Sequence, residues 1–362
     1  MVGIPTLDDV ARAAQVHPGT ASRALNEETR SKVSPATVGR VLAAADRLGY
    51  TPNAVARGLR RQRSMTVGVL IPDLTNAIFP PIVRGIEESL SPRGFTAFVA
   101  NTDNDDYRER RAFEAFRARQ VDGFIFANAR RDHGLIQEAF NLGIPSVLAN
   151  RRTDKSLFPW VAGDDDDGVE QIVKHLVELG HTHVAHIAGP QNNSAGFARA
   201  ESFRHFVKQH GLRELDCPVV IADAFDTESG GSATKQILHH FPAVTAIFAG
   251  NDMIAVGVLG ALREAGVHCP VDMSVVGFND MPLAKDLAPS LTTVAVSGQQ
   301  LGAMAATLLL DEIAGVDRDR TVLLPVELVV RESTAPPRVG ALSLTRQTSA
   351  GPGESGTPTR RS

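Results

Sequence analysis

The chain has 362 residues, 43% hydrophobic and 22% charged, with a formal net charge of −4. That size and balance suit a soluble globular protein of two or three domains. No run approaches 18 uncharged apolar residues, and the N-terminus enters a charged pattern without a signal peptide; no membrane association is expected, and the cytoplasm is the expected compartment. The only cysteines, Cys217 and Cys269, are expected to be reduced packing residues.

Thr6 to Asn26 reads TLDDVARAAQVHPGTASRALN, two short helical patterns hinged at Ala14-Gln15-Val16. Leu7, Val10, Ala11 and Ala14 recur at helical spacing, and Thr6 followed by Asp9 predicts a capping box. The second helix starts at Pro18, where a missing amide proton is harmless. Ala21, Ala24 and Leu25 face inward, which leaves Gly19, Thr20, Ser22 and Arg23 outside. A third helix is predicted from Ser34-Pro35 through Val38, Val41, Leu42, Ala45 and Leu48 to Gly49. Three helices in this space, with the second free to enter a major groove, form a helix-turn-helix headpiece.

Charge agrees with a polyanionic partner. Residues 1–64 hold ten Lys/Arg and five Asp/Glu, so the rest of the chain carries the acidic excess. Phosphate contacts give salt-sensitive affinity, and side chains at base edges give sequence preference.

From Met65 short apolar runs alternate with amphipathic helices. VGVLIP, TAFVAN, DGFIFAN, IPSVLAN, HVAHIAG, PVVIA, AIFAG and SVVGF read as eight strands, with helices such as Pro80 to Ser91 and Gly168 to Leu179 between them. This is a parallel α/β pattern, and two stacked subdomains with a cleft at the strand ends fit it better than one sheet. The Pro, Gly, Ser and Thr rich tail beyond Ala335 reads as disordered, without leucine heptads.

The order of TLDDVARAAQV, GYTPNAVARGL, LGHTHVAHIAGP, FAGNDMIAVGVLGAL and VVGFNDMPLA followed by LTTV resembles the lactose/galactose repressor (LacI/GalR) family from about Thr6 to Ser333. The resemblance implies a helix-turn-helix headpiece at 1–50, a hinge helix and linker at 51–64, and a two-lobed periplasmic-binding-protein-like (type I) core at 65–335. The N-lobe would take about 65–162 and 294–322, the C-lobe about 163–291 and 325–335, and a disordered tail 336–362. It further implies a homodimeric repressor on a palindromic operator with a CpG-type centre, controlled by a sugar or sugar derivative between the lobes, with no cofactor.

Asn53 to Arg60 resembles the family's hinge helix, which orders only on DNA; an isolated helix this short containing Gly58 is unstable in water. Leu59 matches the wedge between central base pairs, Ala56 the small residue allowing close approach, and Asn53 and Arg57 join the expected DNA contacts. In the headpiece, Thr6, His17, Pro18, Gly19, Thr20, Ser22, Arg23 and Asn26 are the expected contacts. Pro18 and Gly19 lack side-chain donors, whereas Arg23 can reach guanine with two hydrogen bonds. His17 stands where the family usually caps with serine; imidazole is a poor cap, so a phosphate contact or a stability cost is expected there.

Effector contacts implied by the resemblance are Asn76, Ile78, Phe79, Asn150, Arg199, Phe225, Asn251 and Asn279. Arg199 would fork onto hydroxyls or carboxylate, and Phe225 would stack on an apolar ligand face. Asn279 replaces a common aspartate, so a donor joins an acceptor there. Asn150 and Arg151 are expected to close the pocket from the hinge side; Asn101 and Asp103 suit turns as well as a pocket. The Asp164 to Asp167 run lacks calcium-loop spacing, and His181, His183 and His186 lack a zinc pattern, so no metal is expected.

An enzyme acting on a sugar or nucleotide has no phosphate loop, GxSxG elbow or acid/base pair to support it. A periplasmic-type solute receptor conflicts with the basic headpiece. A corepressor-dependent or protein-partner-controlled regulator would use the same parts.

Overall fold

The computed structural model describes residues 5–50, 63–155, 157–316 and 321–338, without the side chains of 27 and 28. It divides after Thr66 into two compact units.

The first unit has α1 (Leu7–Ala13), α2 (Pro18–Leu25), α3 (Glu27–Arg30) and α4 (Pro35–Leu48). The capping box forms: Thr6 Oγ1 accepts from the Asp9 amide at 3.3 Å, and the Thr6 amide donates to Asp9 Oδ2 at 2.9 Å. Gln15, at φ 55°, turns the chain between α1 and α2. The core is made of small side chains, Val10, Ala11, Ala14, Ala21, Ala24, Val41, Ala44 and Ala45, which lets the helices approach closely. Leu42 and Leu48, expected on the apolar face of α4, are instead 39% and 37% exposed. Ser34 caps α4 and Gly49 ends it at φ 63°, a left-handed conformation that favours glycine. The four-residue α3 has no readable periodicity; Arg30 Nε anchors it to the Ala24 carbonyl at 3.1 Å.

The second unit contains two six-stranded sheets. The first is ordered β11-β5-β4-β3-β1-β2, from β1 (Thr66–Ile71), β2 (Thr96–Asn101), β3 (Gly123–Phe126), β4 (Ser146–Ala149), β5 (Trp160–Gly163) and β11 (Thr321–Leu324). The second is ordered β12-β10-β9-β8-β6-β7, from β6 (Val184–Ala188), β7 (Val219–Ile221), β8 (Ala246–Ala249), β9 (Ser274–Asn279), β10 (Thr292–Ala295) and β12 (Glu327–Val329). The β10–β12 pair is antiparallel, and the other strand pairs with described register are parallel. Among the described residues twelve strands stand where eight were expected. The additional four, β5, β10, β11 and β12, are only three or four residues long and lie where the chain passes between sheets.

Among the described residues, eight α-helices accompany these sheets: α5 (Phe79–Leu90), α6 (Asp106–Ala118), α7 (Gly134–Asn141), α8 (Asp165–Glu178), α9 (Ser194–Gln209), α10 (Thr227–His240), α11 (Asp252–Glu264) and α12 (Gly298–Ala314). Helix α8 starts before the expected Gly168 because Asp164 accepts from the Asp167 amide at 3.1 Å, and Asp165 to Asp167 fill the first turn, where carboxylates complement the helix dipole. That explains the acidic run. Helices α5 and α12 pack closely through glycine: a Cβ on Gly302 would lie 2.0 Å from the Ile82 carbonyl oxygen.

Phe113, Phe124 and Phe126 anchor the first lobe's core, while Ile187, Ile247, Ile254 and Val275 lie in the second lobe's core. His181 and His186 are buried structural groups: His181 bonds Thr245 and the Ala335 carbonyl, and His186 Nδ1 bonds the Phe248 carbonyl at 2.9 Å. Burial lowers the His186 pKa to about 3. Cys217 and Cys269 are free. Among the described residues, no helix is long and apolar enough to cross a membrane.

Candidate functional site

In the headpiece, α2 buries Ala21 and Ala24 and leaves Arg23 exposed; Gly19, Thr20 and Ser22 are half-buried on the same helix. Arg23 Nη2 reaches Thr20 Oγ1 at 3.4 Å, leaving its planar donor set at the surface. His17 is a cap after all. Its Nδ1 accepts from the Gly19 amide at 3.1 Å, an arrangement helped by extended backbone at His17 and Pro18 at the first helical position. Asn26 ends α2 in extended conformation. Asn53, Ala56, Arg57 and Leu59 lie outside the described residues, as does the tail beyond Arg338.

The second unit places polar groups at the carboxyl ends of its parallel strands, where α/β folds bind ligands. A cavity of ≈ 450 Å³ lies between the lobes, with Asp73, Asp103 and Arg130 on one wall and Asp223, Phe225 and Asp226 on the other. Next to it a chamber of ≈ 20 Å³ brings together Asn150, Arg199, Phe225, Asn251 and Asn279, five of the expected effector residues, with Arg151 and Asn193.

Each arrives by a distinct local device. Asn150 follows β4 at φ 63°, in the left-handed region asparagine tolerates. Arg199, on α9, is 5% exposed; its Nε donates to Asp165 Oδ1 at 2.8 Å, Nη1 donates to the Gly250 carbonyl at 2.6 Å, and its guanidinium carbon lies 3.6 Å from the Phe278 ring centroid. Asp165, read only as part of an acidic run, is therefore a site residue that sequence reasoning missed. Asn251 caps α11 through the Ile254 amide at 2.9 Å. Phe225 fills the space over Gly189, where a Cβ would meet its ring at 2.1 Å.

Asn279 ends β9 at φ 112° and is followed by Asp280 at φ 51°. This strained turn is held from below by Asp252, whose carboxylate accepts from the Met281 amide and Thr293 Oγ1, both at 2.6 Å. Burial pushes the Asp252 pKa up to about 7 against the opposing effect of these hydrogen bonds. Arg151 is also buried, and desolvation lowers its pKa to about 10 while the Asp73 charge partly offsets that shift. Arg151, expected to close the pocket beside Asn150, lines both cavities.

Asn76, Ile78 and Phe79 do not line either of these cavities. Asn76 Oδ1 accepts from the Ile78 amide at 3.4 Å, while Ile78 and Phe79 are buried at the start of α5. Asn101 closes a turn by accepting from the Leu74 amide at 2.9 Å; Asp103 pairs with Arg108 yet still lines the larger cavity.

Comparison with known proteins places this geometry. The description "Bacterial regulatory proteins, lacI family" matches residues 6–53, and "Periplasmic binding protein-like domain" matches residues 173–334. A ribose operon repressor of Halalkalibacterium halodurans is 34% identical over 330 residues, covering 91% of this chain and 97% of that protein. The chain belongs to the LacI family. It is a DNA-binding transcriptional regulator with a helix-turn-helix headpiece and a type I periplasmic-binding-protein-like core. A lac repressor dimer bound to operator and an anti-inducer is similar at TM-score 0.82 and 28% identity, covering 92% of this chain and 100% of that one. An Enterococcus faecium LacI family regulator with bound ribose has TM-score 0.68 and 31% identity, covering 75% of this chain and 100% of the other.

Proposed function

We propose that this LacI family member is a cytoplasmic, homodimeric repressor without catalytic activity, released from a palindromic operator by an uncharged sugar or sugar derivative bound between its lobes. The observation that carries this reading is the convergence of Arg199, Asn150, Asn251 and Asn279 beside Phe225, which also lines the adjoining cavity of ≈ 450 Å³. Amide groups both donate to and accept from hydroxyls, and the aromatic face covers the apolar side of a sugar ring.

Charge favours a neutral ligand. Arg199 is already paired with Asp165, and the larger cavity has Asp73, Asp103, Asp223 and Asp226 against Arg130 and Arg151. An added anion would meet this acidic excess. The similarity to a ribose operon repressor and to a ribose-bound regulator supports testing pentoses first.

Titration calorimetry of the full chain with D-ribose, cellobiose and D-ribose 5-phosphate tests the ligand class. Binding of a neutral sugar without binding of the phosphate is expected; binding of the phosphate alone overturns it. On DNA, Arg23→Ala is expected to weaken a selected palindrome more than scrambled duplex by about 1–3 kcal/mol. Equal weakening in a salt-matched shift assay would reduce Arg23 to a phosphate contact.

A further inference from the structure

The loop after β3, residues 128–133, is held from beneath by a buried acid unused by the effector chamber. Glu109, on α6, is 4% exposed and accepts from Asn128 Nδ2 at 2.7 Å and from Arg130 Nη2 at 3.4 Å. His133 lies 3.0 Å from the same carboxylate through Nε2, and its Nδ1 accepts from the Arg130 amide at 3.2 Å. Since Nδ1 is an acceptor, Nε2 carries the proton and donates to Glu109. Three side chains within six positions are thus bound to one buried carboxylate.

Between them Arg131 projects across to the other lobe. Its amide donates to the Asn192 carbonyl at 2.8 Å, Nη1 donates to the Gln191 carbonyl at 3.4 Å, and its guanidinium carbon stands 3.6 Å from the Phe197 ring centroid. Asp154, in its own lobe, fixes Nε at 2.9 Å, while the Asp154 amide donates to the Arg131 carbonyl at 2.8 Å. A second strand end joins in: the Arg152 amide donates to Ser194 Oγ at 2.9 Å. These contacts join the two lobes directly, protein group to protein group.

We infer that Arg131, seated by the Glu109 network and stacked on Phe197, is a positioning residue: it clasps the two lobes together and sets how readily the cleft opens. Arg131 lines neither of the two effector cavities, so its influence on a ligand runs through closure. A ligand that needs the closed cleft binds more tightly when closure is already populated. The inference stands whatever the effector proves to be.

Amide-resolved hydrogen exchange on the full chain without ligand tests it. The Arg152 amide reports lobe contact, because its acceptor is in the other lobe; the Ala127 amide, bonded to the Leu70 carbonyl at 2.8 Å within the first lobe, is the control. In Arg131→Ala the Arg152 amide is expected to exchange about tenfold faster, the scale of one partly desolvated cation–π contact, with Ala127 unchanged. Phe197→Leu, acting from the opposite lobe, gives the same acceleration, and the double variant gives no more than the larger single effect. Arg131→Lys keeps the charge beside Asp154 but lacks the planar fork, and falls between wild type and alanine. Unchanged Arg152 exchange in both single variants overturns the clasp. So does acceleration of Ala127 in step with Arg152, which would make the contacts part of the general fold.

Discussion

The two walls of the cleft are built from sheets of the same order, yet they hold their polar groups differently. On the second wall, Arg199 is bonded to Asp165 and the Gly250 carbonyl, Asn251 is committed to a helix cap, and the turn at Asn279 is pinned by Asp252. On the first wall, Arg151 donates one long bond, 3.4 Å to Asn104, and otherwise rests on the Asp73 charge and on the Phe79 ring, whose centroid is 5.7 Å from its guanidinium carbon. A ligand thus meets one wall already oriented and another on which Arg130 is seated by Glu109 while Arg151 is held more loosely. Preorganised donors give more binding energy because less ordering remains to be done on contact.

The largest expected effect follows on the ordered wall. Arg199→Ala removes a charged donor and leaves Asp165 without its partner, so affinity for whichever neutral sugar binds is expected to fall about 100-fold, within the range for hydrogen bonds to charged groups. Arg151→Met, on the other wall, keeps much of the buried volume and is expected to cost about tenfold. Calorimetry of both variants compares the walls directly; equal losses would break the contrast.

Next in size is a pH effect from the pin beneath Asn279. In the unfolded chain Asp252 titrates at an ordinary carboxylate value, about 3.9. Folded, burial raises it to about 7. Between these values the native state holds a proton that the unfolded state has lost, so the stability linked to this group is full below about pH 4 and is lost as pH rises through about 7. The slope is at most about 1.4 kcal/mol per pH unit, with no further change above the folded value. Denaturant melts of wild type and Asp252→Asn from pH 5 to 8 isolate this contribution: the variant's curve is expected to be flatter. Parallel curves would mean that Asp252 does not titrate in this window.

Much of the fold was legible because its signals are local. Thr6 with Asp9, Ser34 with Pro35, and Gly49 each mark a helix end within four residues, and Pro and Gly punctuate the longer strands. The strands at the crossings between lobes were not legible as strands, since Thr292–Ala295 and Glu327–Val329 are too short for periodicity to separate them from loops. Within the site, residue types at strand ends were readable, but their partners were not: Arg199 and Asp165 are 34 positions apart, and nothing in the local pattern joins them. His17 misled for a different reason. Its ring reaches the Gly19 amide from extended backbone, with Pro18 at the first helical position, a geometry that propensity rankings do not describe.

Asn251 sharpens the comparison at its smallest scale, because one side chain performs both tasks of the ordered wall. Its Oδ1 caps α11 at the Ile254 amide, and its Nδ2 lies 3.5 Å from the Phe225 carbonyl beside the chamber. Alanine would remove both functions and confuse a cap loss of about 1 kcal/mol with a binding loss. Serine separates them. It caps nearly as well as asparagine but lacks the amide donor, so Asn251→Ser is expected to melt within a few tenths of a kcal/mol of wild type. Its affinity for the same sugar is expected to fall by about threefold to tenfold, the value of one neutral hydrogen bond. If affinity is retained while stability drops, Asn251 serves the helix alone, and the ordering of this wall then rests on Arg199 and the pinned turn at Asn279.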